Sequence, residues 1–220
     1  ERFYYLELLR RAGLMERYPK CDATELGGID AAREAGARRL AALGISGPVI
    51  GISPGAAYGN AKRWLPERFT ESGRELADAL RAGVLLFGSA GERPLCETVA
   101  EPLRGAGVEA RNLAGETTLG EFIDLASVCR IFLTNDSGAM HVASALEVPT
   151  VAVFGATDDS ATGPTGPLAR VVREHAECSP CLLRECPIDH RCMTRVSAAR
   201  VAAAATELLT SQTWTREAKS

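Results

Sequence analysis

The chain has 220 residues, of which 46% are hydrophobic and 24% charged, with a formal net charge of −3 at pH 7. That length suffices for one large domain, or one domain with an appendage, of ordinary globular composition. The charge balance and the lack of a long basic run argue against nucleic-acid or polybasic membrane partners, and apolar runs such as "VLLF" and "VAVF" fall far short of the ~20 residues of a membrane span.

The chain opens on Glu1 and enters "RFYYLELLRRAGL" (2–14) directly, with apolar residues at helical spacing and Gly13 as the expected C-cap. No basic-then-apolar leader precedes it, so a cytoplasmic location is expected, and the abrupt start predicts a piece of a longer protein. A second helix is predicted over 29–45, rich in Ala, Arg and Leu. The rhythm then changes. Strands are predicted at 48–53, 83–89, 109–115, 130–136, 149–155 and 169–174. Between and after them fall helices at 66–80, 92–104, 118–129, 138–146 and 197–209. Pro66 suits a first helical position, and Thr117 or Thr118 suits an N-cap. The strands are short, apolar and bounded by Gly or Pro, as in a parallel sheet buried on both faces. The fold class is therefore α/β, a doubly wound, Rossmann-like parallel sheet. The stretch 157–169 reads as a Gly/Pro/Thr-rich loop in which Asp158 and Asp159 are solvated.

Open parallel sheets bind ligands at the carboxyl ends of their strands. Ser53, Pro54, Gly55, Ala56 and Ala57 follow the first strand, with Lys62 further on. Gly88, Ser89, Gly91 and Glu92 follow the second, and Asn135, Asp136, Ser137, Gly138 and His141 the fourth. Gly155, Ala156 and Thr157 follow the fifth. Glycine lets backbone approach a ligand, and helix N-termini favour phosphate. With Lys62 as a mobile cation, these loops suit a diphosphate. Asp136 would repel phosphate, so its better role is accepting hydrogen bonds from sugar hydroxyls, while Ser137 and Gly138 offer N–H groups. Glu92 suits a ribose. Each residue has a plainer explanation: Asp136 or Ser137 as an N-cap, His141 as a packed histidine, Lys62 as a solvated charge, Trp64 as core, Glu92 as a first-turn acid. Singly the plainer one is preferred; together, at one sheet edge, the ligand site is. Neither G-x-x-x-x-G-K-[ST] nor G-x-G-x-x-G occurs, which argues against P-loop and nicotinamide enzymes.

The stretches "ISPGAAYGNAKRWLPERF" (52–69), "LLFGSAGER" (85–93), "NLAGETTLGEF" (112–122), "LTNDSGAMHVASALEVPTVAVFGATDDSATGP" (133–164) and "CSPCLLRECPIDHRCM" (178–193) together resemble the heptosyltransferase branch of glycosyltransferase family nine, in order and spacing, over most of 48–210. The resemblance implies a GT-B enzyme, two Rossmann-like domains facing across a cleft, of which this chain is the C-terminal half. Residues 1–47 would be the interdomain region and the end of the N-terminal domain, and 48–220 the nucleotide-sugar domain.

The implied reaction transfers heptose from ADP-heptose to a heptose of the lipopolysaccharide inner core, with inversion and without a metal or other cofactor. By that resemblance Lys62 neutralises the donor diphosphate, which lies against the backbone of Gly55 to Ala57, beside Ser53. Glu92 holds the ribose, Leu113 and Ala114 border the adenine, and Asp136 orients the heptose hydroxyls. Ser137 and Gly138 contact the phosphates, with His141 near them. Lys62 and Asp136 are the catalytic candidates. The general base would be an aspartate of the N-terminal domain. The implied partners are ADP-heptose and the lipopolysaccharide core, with no nucleic acid, for a monomer at the cytoplasmic face of the inner membrane. A transferase using another nucleotide sugar and a non-catalytic nucleotide-binding module are the alternatives.

Cys178, Cys181, Cys186 and Cys192 crowd into one segment, while Cys21, Cys96 and Cys129 are scattered. Four thiolates suit tetrahedral zinc, yet paired CxxC knuckles are usual and only one is present; His190 is a substitute ligand. A disulfide in "CSPC" is a further alternative. Reduced thiols packed against the sheet are expected.

Overall fold

The computed structural model describes residues 2–18 and 23–217, with side chains over 6–18 and 23–211. Cys21 lies outside them. Helix α1 (Arg2–Arg11) carries Glu7, whose carboxylate takes Arg10 and Arg11 at 2.8 Å each. Gly13 follows at φ 72, the left-handed geometry expected of it.

Six parallel strands form one sheet: β1 (Val49–Ser53), β2 (Gly83–Leu86), β3 (Ala110–Asn112), β4 (Cys129–Asn135), β5 (Thr150–Val153) and β6 (Ala169–Val172), in the order β3-β2-β1-β4-β5-β6. This is the expected doubly wound α/β fold. The connecting helices are α2 (Ile29–Ala42), α3 (Pro66–Leu80), α4 (Arg93–Gly105), α5 (Leu119–Ser127) and α6 (Gly138–Ala145). Then come α7 (Asp159–Thr162), α8 (Arg191–Thr194) and α9 (Ala198–Glu217).

Strand alternation sorts the core into two layers. Ile50, Ile52, Val84, Leu86, Ile131 and Leu133 turn to one face, under Phe69 and Leu76 of α3, Val99 and Leu103 of α4, and Val201 and Leu208 of α9. Val49, Leu85, Phe87 and Phe132 turn to the other, under Leu40 of α2, Leu125 of α5 and Ala143 of α6. Gly51 has a packing reason: a Cβ there would lie 2.4 Å from the Phe132 ring. Phe132 in turn stacks on Phe87 at 5.9 Å and meets Phe122 edge-on at 6.1 Å.

Helix α2 packs on this body. Arg39 reaches Asp124 and Glu121 of α5 at 2.9 Å each, and a Cβ at Gly36 would lie 2.2 Å from the Asp124 carbonyl oxygen. The predicted loop 157–169 contains α7. Asp158 and Asp159 are not merely solvated, because Asp158 accepts the Ser160 N–H at 3.0 Å and Asp159 pairs with Arg173. Cys129, predicted as the last helical residue, instead opens β4.

Candidate functional site

Strand order reverses between β1 and β4, and the crevice outside their carboxyl ends is where such sheets bind ligands. A cleft of about 260 Å³ opens there. Ser53, Gly55, Ala56 and Ala57 line it from the β1 loop, and Phe87, Gly88, Ser89 and Glu92 from the β2 loop. Thr117, Thr118, Leu119 and Phe122 form the next wall, and Ser137, Gly138 and Ala139 the last.

Glu92 serves two purposes. Its Oε2 accepts the Ser89 N–H and hydroxyl at 2.9 Å each, completing a capping box at the start of the helix. Its Oε1 lies where a Cβ on Gly55 would be, 2.0 Å away. Gly55 is thus required because the Glu92 carboxylate leans on the β1 loop within the cleft. The first-turn role and the ligand-facing placement coexist.

At α6 the capping explanation fails. Ser137 occupies the N-cap position without a side-chain cap, and its hydroxyl lies 3.1 Å from that of Thr134. Asp136 is committed elsewhere. The uncapped first turn of α6, Gly138 and Ala139, opens on the cleft, so its free N–H groups and dipole suit an anion.

Beside the cleft, Lys62 Nζ and Thr157 Oγ1 both donate to Asp136 Oδ2 at 2.6 Å. Asp136 is 6% exposed and Lys62 13%, so Lys62 is not a solvated charge. Asn135 fixes the surrounding backbone: its Oδ1 accepts the Trp64 N–H at 2.9 Å, and its Nδ2 donates to the Pro54 carbonyl at 2.7 Å. One buried amide therefore ties the β1 loop, the Lys62 segment and the end of β4 together. Trp64 is core, as its plainer explanation held.

The fold brings Ser53, Gly55, Ala56, Ala57, Glu92, Ser137 and Gly138 into one cleft, with Lys62 and Asp136 paired next to it. Leu113 and Ala114 are buried in the core, and the cleft wall beyond β3 is made by Thr117 to Phe122 instead. His141 is neither packed nor in the cleft; it is exposed on α6. Thr157 and Asn135 are named above only by their place at strand ends, with no role assigned, and Tyr58 is not named. The first two stand at strand ends, which was the available signal. Tyr58 carried none: its ring lies under Lys62 Nζ at 4.8 Å and beside the Arg184 guanidinium at 5.2 Å.

The clustered cysteines carry free thiols: Cys178 exposed, Cys181 and Cys186 half-buried, Cys192 buried. Burial, then the neighbouring Cys178, Cys181 and Cys186, pushes the Cys192 thiol above its ordinary range. Among the described residues no group of three or more His, Cys, Asp or Glu is arranged to hold a metal ion. Nor is any helix among them long and apolar enough to cross a membrane.

Residues 5–191 match the family model of glycosyltransferase family 9 (heptosyltransferase). The lipooligosaccharide heptosyltransferase 2 of Campylobacter jejuni serotype O:2 is 32% identical over 164 residues, 73% of this chain and 51% of that protein. The lipopolysaccharide heptosyltransferase 2 of Escherichia coli K12 is 42% identical over 130 residues, 57% of this chain and 36% of that protein. The solved structure of the E. coli ADP-heptose lps heptosyltransferase II superposes with a TM-score of 0.71 at 32% identity, covering 81% of this chain and 52% of that one. The chain thus spans about half the length, or less, of the curated relatives it matches.

Proposed function

The chain belongs to glycosyltransferase family 9, and from that premise we propose that it is the nucleotide-sugar half of an inverting heptosyltransferase that uses ADP-heptose and extends the lipopolysaccharide core. The observation carrying this reading is the cleft at the β1/β4 switch point, walled by an uncapped helix N-terminus and flanked by the Lys62–Asp136 pair. The diphosphate lies along Ser137–Gly138–Ala139 and the Gly55–Ala57 backbone. The nucleoside extends toward Glu92 and the Thr117–Phe122 wall, and the sugar toward Asp136 and Thr157.

Breaking the glycosidic bond leaves negative charge on the departing diphosphate. Lys62 and the α6 dipole stabilise that charge as it develops, which lowers the barrier without requiring a metal. Lys62 Nζ donates to Asp136 at 2.6 Å; a bound diphosphate would compete for that ammonium and leave Asp136 to the sugar hydroxyls. The base that takes the acceptor proton is an aspartate of the other half of the enzyme, as the family resemblance implies. Working at the cytoplasmic face of the inner membrane, as a monomer, suits a nucleotide-sugar donor and a lipid-linked acceptor.

Calorimetric titration with ADP, ADP-heptose and UDP tests the reading. ADP should bind, UDP more weakly, and Lys62→Ala should lose about 10–100-fold, the equivalent of one charge-assisted hydrogen bond of ~1.5–3 kcal/mol. Equal ADP affinity for Lys62→Ala and wild type would contradict it.

A further inference from the structure

Residues 178–192 contribute nothing to the cleft wall, yet they touch the Lys62 loop repeatedly. The Ala61 N–H donates to the Arg184 carbonyl at 3.1 Å, and the Cys186 N–H donates to Asn60 Oδ1 at 3.1 Å. His190 Nε2 lies 3.2 Å from the Ala61 carbonyl, which can only accept, so that nitrogen carries the proton. Tyr58 donates its hydroxyl to the Leu182 carbonyl at 2.9 Å. Gly59 admits the closest approach, because a Cβ there would lie 2.1 Å from the Arg184 carbonyl oxygen.

The same segment is anchored at the end of β5. The Leu182 N–H donates to the Ala156 carbonyl at 2.8 Å, and Ser179 Oγ donates to the Gly155 carbonyl at 2.5 Å. The next residue, Thr157, holds Asp136. The segment therefore spans the two loops that supply the donors to Asp136. Leu182 and His190 are both left-handed at φ 57, a conformation that non-glycine residues rarely adopt. Both are residues that make the cross-bonds, so the surrounding contacts hold the backbone where it would not settle alone.

We infer that the cysteine-rich segment is a brace that positions Lys62 for the donor diphosphate, with Asn60 and His190 as positioning residues. The brace sets where the Nζ stands relative to Asp136 and the α6 N-terminus, and it acts through the loop rather than by touching the ligand. This rests on the diphosphate assignment above.

Because Asn60 is exposed, Asn60→Ala leaves the core intact. It should weaken ADP binding up to about tenfold, the worth of one hydrogen bond. AMP, which lacks the second phosphate, should change less than twofold, and Asn60→Asp, which keeps an acceptor oxygen, should recover most of the loss. Coupling is reciprocal, so saturating ADP should in turn slow iodoacetamide alkylation of half-buried Cys181 and Cys186, read by mass spectrometry, with exposed Cys178 as the internal control. Asn60→Ala should abolish that protection. ADP binding by the wild type with no change in Asn60→Ala, or no protection of Cys181 and Cys186, would overturn the brace alone. Absence of ADP binding by the wild type would overturn the diphosphate assignment and the brace with it.

Discussion

At the scale of single residues the site is a set of double commitments. Glu92 caps a helix with one carboxylate oxygen and leans into the cleft with the other. Gly55 exists to admit it. Gly55→Ala should expel the carboxylate, giving up both bonds to Ser89. The expected result is a stability loss of about 1 kcal/mol from the broken capping box, seen in thermal melts, together with weaker ADP binding. An unchanged ADP affinity would detach Glu92 from the nucleoside. Asn135 was legible only as a polar residue at a strand end. That it satisfies backbone from two other segments depends on partners 71 to 81 positions away, which no local pattern records. Leu113 and Ala114 mark the opposite limit: β3 ends at Asn112, and the chain turns both side chains into the core before it reaches the cleft wall.

Among the elements, those with strong periodicity and clear punctuation were legible. Helix α3 begins at Pro66 and ends at Leu80 as predicted, because proline fixes its start and one apolar face is buried along its length. Helix α5 starts at its expected cap: Thr118 Oγ1 accepts the Glu121 N–H at 3.3 Å, and Glu121 answers to the Thr118 N–H at 2.8 Å. The bonds from the Thr118 backbone and hydroxyl, and then Arg39, hold the Glu121 carboxyl below the usual carboxylate range. A carboxyl lowered by folding stabilises fully above its unfolded value near 4.5, and that share is lost as pH falls through the lower folded value. Thr118→Ala removes the hydroxyl and keeps the backbone N–H, so it should lower the melting temperature at pH 7, and the gap to wild type should narrow in melts at pH 3. A gap that stays constant across that range would contradict the assignment. The short helices α7 and α8 were not foreseen, since four residues carry too little periodicity to register. Edge strand β3 is shorter than predicted, and its outward carbonyls are taken by arginines: Arg104 reaches Ala110 O at 3.3 Å and Arg93 reaches Asn112 O at 3.5 Å. Such capping keeps an open sheet edge from pairing with another chain.

On the scale of the whole molecule, the doubly wound order accounts for the site's location. Loops from β1, β2, β4 and β5, and the segment that follows β3, all emerge on one side of the sheet, so residues spread from Ser53 to Thr157 meet there without any local motif joining them. The alternation of strands and helices made that side readable from sequence, and the family resemblance added the roles. The brace was not readable, because a segment rich in Cys and Pro with no periodicity gives no sign of the loop it will grip.

In the proposed function a nucleoside diphosphate lies at the uncapped start of α6 and competes with Asp136 for Lys62. A crystal structure of this chain with ADP tests it most directly. Phosphate oxygens should lie within hydrogen-bonding distance of the Gly138 and Ala139 N–H groups, with the Lys62 ammonium on the diphosphate and the ribose beside Glu92. ADP bound elsewhere, or bound there with Lys62 still on Asp136, would contradict it.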